Sequence, residues 1–234
     1  MDHSGSAPSS ISGFPTPHVA VDIAVLTLLP TSRVGVLLHI RSGDRPGIWA
    51  LPGRFVRENE RLADCVSAAL ELKCGLDGQS LAGAIPRQLH VFDDPGRDDR
   101  GWVMSVAHVL ALPWSELAHL QDSPGVRIVP VLGGRAKIPN RQRELPYDQN
   151  RIVRYAIADL QARYLDMPDP DNLLGHGAFT LAELRDLHAA VLGSELQIDT
   201  FRRHMLPRLT DTGEVAGGGV GRPAALFRRL EGHR

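Results

Sequence analysis

Apolar positions in the first 132 residues come in short blocks suited to strands, and later they recur at helical spacing. Residues 21–29 and 33–40 are β-rich runs joined by Pro30-Thr31-Ser32, which predicts a hairpin. A short strand over 48–52 leads into a glycine turn at Gly53. Residues 60–73 place Leu62, Val66, Ala69 and Leu70 on one helical stripe. Strands follow at 88–92, at the nearly continuous apolar run 102–112, and at 126–132. Strands on both sides of an embedded helix predict an α/β sandwich with a mixed sheet.

The grammar changes after Leu132. Residues 133–149 form a basic, turn-rich connector, and 150–164 an amphipathic helix carrying Ile152, Val153, Ala156, Ile157 and Leu160. The Pro-, Asp- and Gly-rich stretch 165–178 reads as an interdomain linker. Beyond it, Thr180 and Glu183 fit a capping box for a helix that Gly193 stops. A second helix over 198–206 has Gln197 or Asp199 as cap. Two β-capable edges then flank a glycine-rich tip, and the order helix, turn, helix, hairpin is that of a winged helix-turn-helix. The expected division is a flexible arm over 1–18, an α/β domain over 19–145, a linker helix and connector over 146–176, and a winged-helix domain over 177–234.

With 234 residues, 43% of them hydrophobic and 23% charged, the chain has room for one ordinary domain and a small second one. A formal net charge of -1 gives no wholesale attraction to nucleic acid or membrane, but it leaves room for a local basic patch. Cys65 and Cys74 are the only cysteines, too few for a disulfide framework or a zinc site. On one helix their Cα atoms are about 13 Å apart, so they are read as buried thiols. No apolar run is long enough to span a bilayer, and the start lacks a secretory signal. A cytoplasmic protein without membrane contact is the expectation.

Near the start of the 198–206 helix, Thr200, Arg202 and Arg203 are candidates for DNA contact, since helix-turn-helix proteins present that region to the major groove. Arginine reads guanine edges bidentately; a merely solvated helix face is the rival reading. Arg222, in the GRPA run after three glycines, is a candidate for phosphate or minor-groove contact. Between Asp199 and Arg234 seven arginines face four acidic residues, a local positive bias. In the loop DDPGRDDRG, Arg97 and Arg100 are candidates for holding a pyrophosphate, or else for salt bridges to Asp93, Asp94, Asp98 or Asp99. Arg54 and Arg57, next to the glycine turn, are weaker candidates for holding the same pyrophosphate. The ten histidines show no metal-ligand spacing.

From Gly53 to Leu76 the chain resembles the Nudix motif, Gly-x5-Glu-x7-Arg-Glu-U-x-Glu-Glu-x-Gly-U, with one extra residue between Gly53 and Glu60. Counting back from Gly75, Ala68 stands at the arginine position and Ala69, Leu72 and Lys73 at the three glutamates that hold magnesium. Those three positions share one helix face. Magnesium takes hard oxygen ligands, so no catalytic or metal-binding residue is expected and the protein is read as no enzyme. Glu58, Glu60 and Glu71 remain nearby, but Glu60 has lost its arginine partner at Ala68 and Glu71 is off the metal face.

LPGRFVRENERL, DPGRDDRGWVMSVAHVLAL, FTLAELRDLHAAVLG, and FRRHMLPRL followed by GRPAALFRR make residues 21–229 similar to the Nudix-related transcriptional regulators of NAD metabolism, the NrtR family. The resemblance implies a homodimeric repressor of NAD biosynthesis genes that binds a pseudo-palindromic double-stranded operator. It implies ADP-ribose or a related NAD derivative as effector, with no cofactor required. An active ADP-ribose pyrophosphatase with an accessory C-terminal domain is the alternative; a module whose C-terminal helices bind protein is a third reading.

Overall fold

The computed structural model describes residues 15–43, 45–79, 81, 83–139, 142–217 and 223–230. Its first part is a mixed sheet between two helical layers. The strands are β1 (His18–Leu29), β2 (Arg33–Ile40), β3 (Trp49–Ala50), β4 (Gly53–Phe55), β5 (Arg87–Phe92), β6 (Val103–Ala111), β7 (Val126–Leu132) and β8 (Arg135–Ala136). They run in the order β5-β6-β1-β2-β7-β8, with β3 on β2 and β4 on β1. The β1–β2 hairpin is antiparallel as expected, whereas β1 and β6 pair in parallel.

β1 is covered on both faces, which is why its pattern is a continuous run and not an alternation. Val21, Ile23 and Val25 pack in the core layer that holds helix α1 (Leu62–Cys74) and the short α2 (Trp114–Leu117). Ala24 and Leu26 point the other way, toward α3 (Gln149–Arg163). The buried residues of α3 are Gln149, Ile152, Val153, Ala156 and Leu160, and the last four are among the five that carried its predicted amphipathic stripe.

Gly53 departs from its expected role. It lies in β4, opposite Asp22, and not in a turn. A Cβ there would lie 2.5 Å from the Val21 carbonyl oxygen and 2.9 Å from Asp22 Oδ1, so the glycine is required by close approach of two backbones. Gly75 does act as a helix stop, at φ 71° in the left-handed region.

The C-terminal part comprises β9 (Phe179–Thr180), α4 (Leu181–Leu192), α5 (Ile198–Met205), β10 (Leu209–Val215) and β11 (Ala225–Arg229), with sheet order β10-β11-β9. Thr180 and Glu183 form the capping box, and Gly193 ends α4 at φ 68°. Gln197 caps α5 by accepting the Thr200 N–H at 2.6 Å. Phe179, Leu184, Phe201, Met205 and Leu209 make a small core of their own.

Residues 165–178 connect the two parts as a packed segment. Asp169 is 0% exposed and Leu173 is buried in the main core. Helix α4 also sends Leu187 and Val191 into that core, so the two parts share apolar contacts. Among the described residues no helix is long and apolar enough to cross a membrane.

Candidate functional site

A cavity of about 260 Å³ opens where β1, β4, the C-terminal end of α1, the loop before β6 and the start of α3 converge. Its floor is a buried polar network. Asp22 Oδ2 accepts from Ser105 Oγ at 2.6 Å and Arg97 Nη2 at 3.3 Å, while Oδ1 accepts from Gln149 Nε2 at 2.7 Å. Gln149 Oε1 in turn accepts the Leu51 N–H at 2.9 Å. Arg97 also clamps Asp148, donating from Nη2 at 2.7 Å and from Nε to both oxygens at 3.2 Å. Burial alone would lower its pKa, but the bonds to Asp148 and the charges of Asp22, Asp148 and Asp98 raise it above the ordinary arginine value. The salt-bridge reading of the loop therefore describes Arg97, with Asp22 and Asp148 as partners in place of its loop neighbours. Arg97 shapes the cavity as a fixed, neutralised element.

Arg100 does pair with a loop neighbour, reaching Asp98 at 2.7 Å, and its guanidinium lies 5.4 Å from the Phe55 ring centre and 5.0 Å from that of Tyr147. Such stacking holds the planar cation at the rim in a preset orientation. Arg54 lines the cavity and meets Glu60 at 2.6 Å. Glu60 thus regains an arginine from β4 in place of the one missing at Ala68. The Arg57 backbone N–H, followed by the Arg54 guanidinium, holds the Glu60 carboxyl below the usual carboxylate range. The exposed side chain of Arg57 is not part of the lining; its N–H bonds Glu60 Oε2 at 2.8 Å.

The three motif positions on α1 do not present one face to the cavity. Ala69 is 0% exposed in the core, Leu72 is 70% exposed, and only Lys73 lines the cavity. The helix is turned so that its stripe of Cys65, Val66, Ala69 and Leu70 packs under the sheet. Among the described residues no group of three His, Cys, Asp or Glu is placed to hold a metal ion. A magnesium ion does not fit this donor set. Burial pushes the thiol of Cys65 up to about 11 and that of Cys74 up to about 12, so both stay protonated.

Several residues of the cavity escape a reading of the sequence: Asp22, His39, Arg41, Tyr147, Asp148 and Gln149. His39 is buried, and desolvation above all lowers its pKa to about 4, so it is neutral in the cavity wall. Tyr147 has φ 56°, and the guanidinium groups of Arg41 and Arg45 lie 5.3 and 5.1 Å from its ring centre. Its one local signal is an aromatic residue in an otherwise basic connector. Nothing in the sequence around Asp22 separates it from a strand residue whose neighbours are apolar.

The second candidate surface is α5. Thr200, Arg202 and Arg203 are exposed, while Phe201 and Met205 face the core. The helix ends at Met205, so Arg202 and Arg203 occupy its last turn and not its start. There they also oppose the helix dipole. Thr200 and Arg203, three residues apart, share a face. Arg222 lies outside the described residues.

Comparison with known proteins bears on both surfaces. Residues 172–229 match the family described as the NrtR DNA-binding winged helix domain. The ADPR responsive transcriptional repressor NtrR of Acinetobacter baylyi is 28% identical over 230 residues, covering 93% of this chain and 84% of that protein. The structure of Shewanella oneidensis NrtR in complex with a 27mer DNA superposes with a TM-score of 0.73 at 26% identity, over 91% of this chain and 93% of that one. The isolated Nudix domain of the same Shewanella protein, crystallised with ADP ribose, matches 65% of this chain and 94% of its own at TM-score 0.51 and 22% identity, a likeness of fold. In fold and in the order of its parts the chain is built like the NrtR regulators, a Nudix-like sandwich with a mixed sheet followed by an NrtR-type winged helix.

Proposed function

We propose that this chain is a DNA-binding transcriptional repressor of NAD biosynthesis genes whose Nudix-like domain senses ADP-ribose or a related NAD derivative. It acts in the cytoplasm as a homodimer on a pseudo-palindromic operator, because a two-fold protein matches two half-sites a helical turn apart. Thr200, Arg202, Arg203 and Arg222 are its DNA contacts, and Arg54 and Arg100 face the effector with Arg97 fixed behind them. Arg57, outside the cavity, serves the effector only through the backbone bond that positions Glu60. The boundaries 19–145, 146–176 and 177–234 separate sensing, connection and DNA binding.

One observation carries the reading: a continuous run of contacts joins the cavity to the recognition helix. Gln149 at the cavity floor opens α3, a rod of about 22 Å. At its far end Tyr164 donates to Asp169 Oδ1 at 2.6 Å, and Asp169 receives Arg229 of β11. The Tyr164 ring meets His188 of α4 at 5.1 Å, and His188 meets Phe201 of α5 at 5.1 Å. A ligand that displaces the start of α3 therefore moves the spacing of the recognition helices, which couples the two sites.

A gel-shift titration tests this. Operator DNA is bound by the protein alone and released as ADP-ribose is added. Retention of the complex at saturating ADP-ribose and NAD rules out the effector role. In this reading the protein hydrolyses nothing, since Ala69, Leu72 and Lys73 replace the glutamates. Magnesium-dependent release of AMP and ribose 5-phosphate would establish the hydrolase alternative instead.

A further inference from the structure

Lys73 stands where the Nudix motif carries a glutamate, in the last turn of α1, and its side chain lines the cavity. The arginines around it are already engaged: Arg54 with Glu60, Arg97 with Asp22 and Asp148, Arg100 with Asp98. Among the described residues the Lys73 ammonium has no hydrogen bond or ion pair. A lysine in a last helical turn also offsets the helix dipole, but one turned to solvent would do so equally well. This one is half-buried, close enough to His39 to help keep that ring neutral.

A diphosphate in a partly enclosed cavity needs positive charge, and the motif ordinarily obtains it from magnesium held by carboxylates. Here the ligand set is gone and a cation has appeared at one of its positions. We infer that the Lys73 ammonium replaces the metal ion, pairing directly with a phosphate oxygen, so that the cavity binds the diphosphate of its nucleotide without a divalent cation. The inference rests on the nucleotide-sensing reading above and adds its metal requirement: none. Arg54 and Arg100 then complete the charge, since both are preset by their carboxylate and ring partners.

Calorimetric titration of the full-length protein with ADP-ribose, in excess EDTA and in excess magnesium, tests it. The two affinities agree within about twofold. Lys73→Gln weakens binding by about tenfold or more in both buffers, and Lys73→Arg recovers most of the loss. An unchanged melting temperature shows that each variant is folded. Binding that requires magnesium, or a Lys73→Gln protein as tight as the parent, overturns the inference and leaves ADP-ribose sensing in place. No binding in either buffer overturns both.

Discussion

The cavity and helix α5 are both rich in arginine, yet they hold their charges in opposite ways. At the cavity Arg54, Arg97 and Arg100 are each fixed by a carboxylate, and Arg100 also by aromatic rings. On α5, Arg202 and Arg203 are exposed and have no ion pair among the described residues. A small ligand is recognised by geometry, so its cations have to be oriented before it arrives. DNA is met through a long array of phosphates, where mobile, solvated cations suffice and released counterions supply the affinity. The same residue type is thus a structural element in one region and, in the proposed function, a DNA contact in the other.

The sharpest way to break that contrast is to disturb the knot that joins the two regions. Asp169 is fully buried, accepts from Tyr164 and from the Leu173 and Leu174 N–H groups, and pairs with Arg229. Asp169→Ala leaves a cation without its partner and is expected to cost about 3–5 kcal/mol in urea unfolding. Arg97→Gln comes next: it strips Asp22 and Asp148 of their shared cation, with an expected loss of about 2–4 kcal/mol and no remaining response to ADP-ribose in the gel shift. Arg97→Gln as stable as the parent would place this arginine with the loose charges of α5.

Acid is a third probe. Desolvation above all lowers both His39 and His188 to about 4, against an ordinary value of 6.5. The folded protein therefore binds fewer protons than the unfolded chain between those values. The two rings stabilise the fold fully above pH 6.5, and that stability is lost as pH falls toward 4, by up to about 3 kcal/mol each. Melting temperatures across this range check it, and Gln at both positions flattens the slope.

On the DNA side, Arg202→Ala with Arg203→Ala is expected to change stability by less than about 0.5 kcal/mol. Operator affinity should nevertheless fall, and its salt slope should shrink by about one for each phosphate that is no longer neutralised. An unchanged salt slope would mean that these arginines only offset the helix dipole. Smallest of all, Thr180→Ala removes the capping box of α4 at about 1 kcal/mol, read by thermal denaturation without altering ADP-ribose affinity.

Most elements are legible because each announces itself within a few residues. The β1–β2 hairpin, the caps of α4 at Thr180 and Gly193, and the cap of α5 at Gln197 are local patterns. Gly53 misleads for the same reason: its need is the approach of Val21 and Asp22, thirty-odd positions earlier in the chain. Arg202 and Arg203 are expected near the start of a helix over 198–206, but Ile198–Met205 has only eight residues, so its fifth and sixth positions already fall in the last turn.

By itself the chain's pattern determined two successive units, their order, and the exchange of carboxylates for Ala69, Leu72 and Lys73, since all of these reside in periodicity and residue identity. Only tertiary structure decided that Arg97 is spent on Asp22 and Asp148, that Glu60 finds Arg54, and that Lys73 alone of the three motif positions faces the cavity. The physical reason is that charge is neutralised by whatever lies within a few ångströms in space. Asp22, Arg97 and Asp148 come from a strand, a loop and a helix entry that no local rule brings together.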